Sequence, residues 1–154
     1  MAKKRKAVIV VENASIPQDV RVWYEATTLR DAGWQTVVIC PAGQGKPQRE
    51  TSAGFGEAED MEGVTVYRFP LSFADNGAAG FIREYATAWI AIARLTWRVW
   101  RAGRFDIIQF CNPPDIFFPI GFFYRLLGAK VVFDHHDLFP EVVAWRFHGL
   151  PGKL

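Results

Sequence analysis

The sequence predicts an α/β fold in which a parallel β-sheet is sandwiched by helices within a single domain. Short apolar runs of strand length recur at residues 7–11, 36–40, 63–69, 105–110 and 130–134. Helix-length segments mostly alternate with these runs, and that alternation is typical of βαβ units, whose strands lie parallel. The chain has 154 residues, half of them hydrophobic, which is enough for one core and for no more than one compact domain.

The first strand and the first helix have clear boundaries in the sequence. The first apolar run ends at Glu12, too early for the hydrophobic region of a signal peptide, so the basic residues before it are interpreted as the leader of a strand. The first helix is predicted to begin at Asp19, an N-cap residue that follows Pro17, and to stop at Gly33. The second strand, 36–40, follows directly.

The long connection at 41–62 is rich in glycine and proline, carries mixed charge and shows little apolar periodicity. We therefore expect a mobile loop over the edge of the sheet. The strand at 63–69 comes next, and a second helix is predicted over about 80–102.

The second helix carries a basic stripe. At about 100° per residue, four arginines fall within about 60° of arc opposite a broad apolar face, and three tryptophans border them. The arginines are Arg83, Arg94, Arg98 and Arg101, and the tryptophans are Trp89, Trp97 and Trp100. Basic residues edged by tryptophan suit the headgroup layer of an anionic membrane, which predicts that Arg94, Arg98, Arg101 and Trp97 face a membrane. The alternative is a crossover helix packed on the sheet, with its arginines in solvent.

The last predicted strand leads into a cluster of ionisable side chains. A third helix over about 114–127 is predicted after the Pro113-Pro114 break, and the strand at 130–134 follows it. Directly after that strand come Asp134, His135, His136 and Asp137. We expect these residues at the carboxyl end of a buried strand, where ligands bind in open α/β sheets.

The C-terminal residues predict an unfinished domain. A further helical segment begins at Val142, whereas the sequence stops at Leu154. Because a doubly wound domain normally continues with at least one more strand, we expect the last strand or strands to be missing. A complete five-stranded, flavodoxin-like sheet stays open as the alternative.

Composition and motifs exclude several classes of function. Eighteen basic against sixteen acidic residues leave a formal charge of +2, which does not indicate nucleic-acid binding. Cys40 and Cys111 each end an apolar run, which is typical of reduced cytosolic thiols and not of a disulfide framework or a metal site. No apolar run reaches the roughly 18 residues of a membrane span. The sequence has no Gly-x-Gly-x-x-Gly, which counts against an oxidoreductase that binds a dinucleotide.

Three motifs, in the same order, resemble the N-terminal half of family 4 glycosyltransferases. The first runs from Glu12 to Val22 and continues to Pro41. The second is Phe105-Asp106-Ile107-Ile108 with Asn112-Pro113-Pro114-Asp115, and the third is Asp134-His135-His136-Asp137-Leu138-Phe139-Pro140-Glu141. The likeness is closest to bacterial members that build surface polysaccharides or lipopolysaccharide. Those enzymes have the GT-B fold, in which two Rossmann-like domains enclose the active site in the cleft between them.

The resemblance implies that residues 1–154 form the N-terminal, acceptor-side domain of such an enzyme and that the donor-binding C-terminal domain is absent. It implies a retaining transferase whose co-substrate is a nucleotide sugar, held mainly by that second domain, with no other cofactor and no metal. Because catalysis in this fold needs two faces that close around the donor phosphates, we expect the chain alone to be inactive. The expected location is cytoplasmic, on the inner face of the plasma membrane, where the acceptor is a sugar or a lipid-linked glycan.

The resemblance places the catalytic residues just after the last strand. His136 matches the family's cleft histidine, which lies near the donor sugar, and Asp137 occupies the acidic position beside it. We hypothesise that His136 orients the sugar and that Asp134 holds the loop. The residues expected to contact substrate are Asn13, Arg21, Asn112, Asp134, His135 and Glu141.

Plainer roles stay open for the same residues. Asp134 can cap a strand turn, His135 can be solvated without a ligand, and Asn112 can bind the backbone. Arg21 can equally be a solvated side chain beside an N-cap. A metal held by the two histidines and an aspartate is a third option, but the adjacent side chains of His135 and His136 point in different directions on an extended backbone.

Two functions from different classes stay open at this point. The first is the acceptor-binding half of a glycosyltransferase that extends a surface polysaccharide or a lipid-linked glycan. The second is a stand-alone, non-catalytic α/β module that binds a sugar, a nucleotide or a partner protein. A truncated half should also expose apolar surface, which predicts dimers or poor solubility.

Overall fold

A computed structural model of the chain describes residues 4–42, 56–70, 78–111 and 115–135. The elements in chain order are β1 (Lys6–Val11), α1 (Val20–Asp31), β2 (Gln35–Pro41), β3 (Ala58–Met61), β4 (Val64–Phe69), α2 (Ala78–Ala102), β5 (Ile107–Cys111), a 3₁₀ turn (Asp115–Phe117), α3 (Phe118–Leu126) and β6 (Lys130–Asp134). The described residues therefore form an α/β domain, as the alternation of apolar runs predicts.

The strands form one sheet in the order β3-β4-β2-β1-β5-β6. All neighbours in it are parallel except β3, which is antiparallel to β4. The predicted parallel sheet is thus confirmed, with one added edge strand. Because β1 pairs with β2 on one side and with β5 on the other, the winding of the chain reverses between β1 and β5. That reversal is the topological switch point of a doubly wound sheet, and ligands bind at the carboxyl ends of its strands.

Helix α1 begins and ends where its sequence signals predict. The Asp19 side chain accepts a hydrogen bond of 3.2 Å from the Val22 backbone N–H, so it satisfies one of the free donors at the helix start. At the other end Gly33 adopts a φ of +86°, a left-handed conformation that residues with a side chain rarely adopt. Local chemistry alone therefore fixes both ends of this helix.

The prediction of an uninterrupted loop at 41–62 is wrong at its C-terminal end. Ala58–Met61 forms the antiparallel edge strand β3, which pairs with β4 through a two-residue turn. Glu62 and Gly63, the two turn residues, both have positive φ, as a type I′ hairpin requires. A Glu-Gly pair is not one of the usual type I′ signals, and β3 is polar. Neither the turn nor the strand was therefore visible in the pattern of apolar residues. Residues 43–55 lie outside the described residues.

The other boundaries shift by a few residues for physical reasons. The strand predicted at 105–110 starts at Ile107, because the Phe105 ring packs 4.8 Å from the rings of both Trp100 and Tyr124 instead of joining the sheet. The helix predicted over 114–127 splits into the short 3₁₀ turn and α3. The further helical segment predicted from Val142, and with it the expected missing strand, lies outside the described residues.

Helices cover the two faces of the sheet unequally. One face packs against α2 and α3, and its core includes alternate residues of β1 and β5 such as Val8, Val10 and Phe110. The other face packs against α1 alone in the described part of the chain, with Ile9 and Val11 among its core residues. On this second face, the surface of β5 and β6 lies beside α1, and no other helix of the described residues covers it. This surface borders the predicted site.

Helix α3 lies very close to the sheet at one point. A Cβ atom added to Gly121 would lie 3.0 Å from Val131 Cγ1 and 3.3 Å from both Phe110 Cε2 and Phe133 Cζ. An alanine at this position would need these side chains to shift by a few tenths of an ångström, and a larger side chain would push α3 away from the sheet.

Candidate functional site

Polar side chains from three elements meet beside the switch point of the sheet, where α1 lies next to β5 and β6. Arg21 and Glu25 lie on the first two turns of α1, Gln109 lies on β5, and Asp134 is the last residue of β6. Because the carboxyl ends of parallel strands share one edge, the fold brings together residues that are more than 100 positions apart in the sequence.

Asp134 is the centre of this cluster. Its Oδ2 atom lies 2.8 Å from Arg21 Nη1 and accepts a second hydrogen bond of 3.3 Å from Gln109 Nε2. Gln109 also donates to Glu25 Oε2 at 2.8 Å. The Asp134 carboxylate therefore joins α1 to β5 and β6, and Arg21 is bound to it by an ion pair. The hypothesis that Asp134 holds the loop after β6 stays a prediction, because that loop continues beyond the described residues.

Sequence reasoning missed two members of the cluster, Glu25 and Gln109. Each had a signal that could have found it. Gln109 is a polar residue in the middle of an otherwise apolar strand, where it must find a hydrogen-bond partner. Glu25 follows Arg21 by four residues, so both side chains lie on the same face of α1.

An open groove runs along α1 from this cluster. It has a volume of about 750 Å³ and is lined by Val20, Arg21, Tyr24, Glu25, Thr28, Leu29 and Gln109. Its lining combines apolar surface with the charged groups of Arg21 and Glu25 and the amide of Gln109. Carboxylate and amide groups beside apolar surface can bind hydroxyl groups while the apolar surface contacts a ring face, which suits a sugar.

The β1–α1 loop reaches the same edge and is held by an arginine that sequence reasoning did not single out. Arg68, on β4, forms a 2.9 Å ion pair with Glu59 of the edge strand β3. The same guanidinium donates to Ser15 Oγ at 2.8 Å and to the Ile16 carbonyl at 3.2 Å. Arg68 therefore ties the loop to the edge hairpin, while the predicted acceptor residue Asn13 is exposed on that loop.

Several predicted site residues cannot be placed by this geometry. Asn112, His136, Asp137 and Glu141 lie outside the described residues, and their roles stay predictions. His135 is described and exposed. No three His, Cys, Asp or Glu side chains converge into a metal-binding group within the described ranges.

The buried cysteine beside the cluster is not a nucleophile at neutral pH. Burial raises the pKa of Cys111 to about 12, and a 3.8 Å contact with Gln109 offsets only part of that effect. Cys40 is also buried, and burial raises its pKa as well. Both thiols are therefore protonated and unreactive, as small core residues.

The basic stripe of α2 is only partly as predicted. Arg94, Arg101 and Trp97 are exposed. Arg98 also reaches the surface, but it donates to the Gly56 carbonyl and lies 5.9 Å from the Tyr67 ring centre, so it binds the β3–β4 region.

The expectation that three tryptophans border the stripe is wrong for two of them. Trp100 is buried against Phe105 and Tyr124, because its ring completes an aromatic cluster under α2. Trp89 is half-buried and donates to the Ile116 carbonyl at 3.2 Å. No helix in the described residues is long and apolar enough to cross a membrane.

Comparison with known proteins adds independent information. The family described as "Glycosyl transferase 4-like domain" matches residues 18–152. The chain is 28% identical over 148 residues to the chitobiosyldiphosphodolichol beta-mannosyltransferase of Candida glabrata. That match covers 94% of this chain and 31% of the relative, so the chain spans about a third of the length of this curated relative.

Among solved structures, the chain is similar to the C-terminal domain of a hydrogenase from Pyrococcus furiosus. The TM-score is 0.56, with 11% sequence identity, and the match covers 86% of this chain and 92% of that one. At this identity the likeness shows the fold alone, a Rossmann-like α/β domain.

Proposed function

The chain belongs to the glycosyl transferase 4-like family, and we propose that it is the acceptor-binding half of an enzyme that transfers a sugar from a nucleotide-sugar donor to a glycan. The observation that carries this proposal is the cluster of Arg21, Glu25, Gln109 and Asp134 beside the switch point of the sheet. It provides hydrogen-bond donors and acceptors at the edge where α/β sheets bind ligands.

The chemistry of the cluster suits binding better than catalysis. Asp134 accepts hydrogen bonds from both Gln109 and Arg21, so the positions of these side chains are fixed before a ligand arrives. Fixed carboxylate and amide groups lose little entropy when they bind sugar hydroxyls. The Arg21 side chain is 41% exposed beside Asp134, and its guanidinium would donate to a hydroxyl or phosphate oxygen of the acceptor.

The reaction itself is proposed to need a second, donor-binding domain. Negative charge that develops on the leaving diphosphate would be stabilised there by basic side chains and helix N-termini. By family resemblance, His136 would orient the sugar at the reacting centre and Asp137 would lie beside it. We therefore expect the 154-residue chain alone to bind acceptor without turnover.

The identity of the acceptor is proposed from the relative. Its name describes a mannosyltransferase that acts on a sugar joined to a lipid through a diphosphate. We propose that the acceptor here is a glycan joined to a lipid through a diphosphate. In bacteria we expect it to be a surface polysaccharide intermediate with the same linkage. The enzyme would then work as a peripheral protein on the inner face of the membrane that holds this acceptor.

Ligand-observed NMR of the 154-residue chain tests the proposal. The panel contains water-soluble, short-chain diphosphate-linked chitobiose and nucleotide-activated mannose, glucose and N-acetylglucosamine. We expect saturation transfer to the diphosphate-linked glycan and none to the nucleotide sugars. Asp134→Asn should weaken acceptor binding, because the ion pair that orients Arg21 is lost.

His136→Ala and His135→Ala test the two histidine roles separately. Replacing a histidine that contacts the glycan should lower the transfer signal, whereas replacing one that is only solvated should leave it unchanged. Tight binding of a nucleotide sugar would contradict an acceptor half. Binding of a partner protein with no sugar signal would favour the non-catalytic module. The relative's name specifies a beta product. For a longer chain that does turn over, NMR of the anomeric configuration of the product would test the expected retention.

A further inference from the structure

Helix α3 has an unusual surface for a soluble α/β domain. Its nine residues are Phe-Pro-Ile-Gly-Phe-Phe-Tyr-Arg-Leu, with Arg125 as the only charge. Ile120 and Tyr124 pack on the sheet, yet the opposite side is equally apolar. Phe118, Phe122 and Leu126, spaced four residues apart, are 64%, 58% and 71% exposed. A helix that is apolar all round is normally enclosed by protein or lipid.

The apolar surface continues from α3 onto α2. Between the two helices lies a groove of about 330 Å³ lined by Trp89, Ala93, Trp97, Pro119, Ile120, Phe123 and Tyr124. The Trp97 and Phe123 rings lie 6.1 Å apart across it, and both side chains are exposed, as is Ile90. We call this surface the aromatic face; its members are Ile90, Trp97, Phe118, Phe122, Phe123 and Leu126.

We infer that the aromatic face inserts into the interfacial layer of an anionic lipid bilayer. The inference deepens the proposed function, on which it rests for its biological reason, since a lipid-linked acceptor lies in such a bilayer. It extends the membrane contact that the sequence predicted on α2, around Arg94, Arg101 and Trp97, to α3 and the groove beside it.

The charge around the aromatic face favours this occupant. Residues 85–105 and 116–133 contain six basic residues and no acidic residue. The whole chain has a net charge of +2, so the remaining residues together carry −4. All six cations are exposed. Apart from Arg98, which binds the Gly56 carbonyl, they lie on or just after α2 and α3: Arg94, Arg101, Arg104, Arg125 and Lys130. Cations surrounding an aromatic apolar surface match anionic headgroups above an acyl layer.

The same charge disfavours a second copy of this chain as the occupant. In a two-fold dimer the same surface of both subunits meets, so the cations around one face would lie against those of the other. Neither of the two segments that form the face contains an acidic residue that could offset this repulsion. A bilayer with anionic lipid has no such penalty.

Vesicle co-sedimentation of the 154-residue chain tests the inference. One set of vesicles is pure phosphatidylcholine, and in the other about a third of the lipid is phosphatidylglycerol. We expect binding to the anionic vesicles at least about tenfold tighter than to the neutral ones, with a steep loss in salt. Arg94→Gln/Arg101→Gln should remove most of this preference.

The apolar contribution is tested by Phe118→Ser/Phe122→Ser, which alters only exposed side chains. We expect about tenfold weaker vesicle binding or more, with unchanged circular dichroism. The matched control, Val20→Ser/Tyr24→Ser, changes two exposed apolar residues of α1 on the other side of the sheet and should bind vesicles like the wild type.

The depth of insertion gives a second measurement. Because both native cysteines are buried, a Phe122→Cys variant can be labelled selectively with an environment-sensitive fluorophore. Its emission should shift to the blue on anionic vesicles, whereas a label at Tyr24→Cys should not respond.

The outcomes separate this inference from the proposed function. Failure of the wild type to bind anionic vesicles, or equal binding by all variants, would overturn the membrane inference. A dimer abolished by Phe118→Ser/Phe122→Ser, without vesicle binding, would assign the face to a second copy and overturn it as well. Acceptor binding measured with soluble glycan is independent of both results, so loss of that signal would bear on the proposed function alone.

Discussion

Replacing Arg68 should loosen the β1–α1 loop and lower stability more than its position near a sheet edge suggests. Its side chain is only 12% exposed and its guanidinium contacts Glu59, Ser15 and Ile16. Arg68→Met would leave all three acceptors without this donor. Hydrogen bonds to a charged group contribute about 1.5–3 kcal/mol each, but the Glu59 carboxylate is 23% exposed and regains water. We expect a loss of about 3 kcal/mol in the free energy of unfolding.

Urea denaturation followed by tryptophan fluorescence measures this loss. Glu59→Gln alone should cost about 1 kcal/mol, and the double variant should cost less than the sum of the two, because they share one interaction. Arg83→Met, on the exposed side of α2, is the matched control and should change stability by no more than about 0.5 kcal/mol. An Arg68→Met cost equal to that of Arg83→Met would refute the claim that Arg68 anchors the loop.

Three further perturbations have defined outcomes. Gly121→Val should destabilise the fold by about 3 kcal/mol or prevent folding, measured by urea titration, because even a Cβ atom would lie 3.0 Å from Val131. Alkaline pH should lower the free energy of unfolding, because burial raises the pKa of Cys111 to about 12. The stabilisation that this thiol contributes is complete below the unfolded pKa of about 8.5. It is lost as pH rises towards 12, by up to about 1.4 kcal/mol per pH unit. Cys111→Ala should flatten that fall, and an unchanged slope would contradict it. A double-mutant cycle on Arg21 and Asp134, which are 41% and 27% exposed, should give a coupling of no more than about 1 kcal/mol that decreases in salt, since the pair orients a site more than it stabilises the fold.

Local sequence chemistry explains which parts of the fold were predictable. The five parallel strands are apolar runs bounded by polar or glycine residues, and α1 has an N-cap at Asp19 and a left-handed Gly33. Strand β3 was missed because Ala-Glu-Asp-Met is polar and lies at an edge, where only pairing with β4 makes it a strand. Its existence depends on a tertiary contact, which no local pattern records.

The candidate site was predictable in location but not in composition. The carboxyl end of the last strand follows from the βαβ order, and Asp134 was expected there, whereas Arg21 was expected only at the start of the first helix. Gln109 was hidden because its role depends on the partners that the sheet order places beside it. Arg68 was hidden for the same reason, since its contacts on the β1–α1 loop are more than 50 residues away in sequence.

The aromatic face shows a different limit of sequence reasoning. The periodicity of α2 correctly placed Arg94 and Arg101 at the surface, but exposed and buried tryptophans look alike in a helical pattern. For α3, apolar periodicity could not separate the buried Tyr124 from the exposed Phe122, because every side of the helix is apolar.

Backbone amide shift mapping during titration with short-chain diphosphate-linked chitobiose shows whether the acceptor binds at the candidate site. We expect the perturbed amides to cluster at the carboxyl ends of β1, β5 and β6 and in the first turns of α1, around Arg21, Gln109 and Asp134. Perturbations confined to other surfaces, or none at saturating glycan while nucleotide-activated mannose does perturb this edge, would contradict an acceptor-binding half.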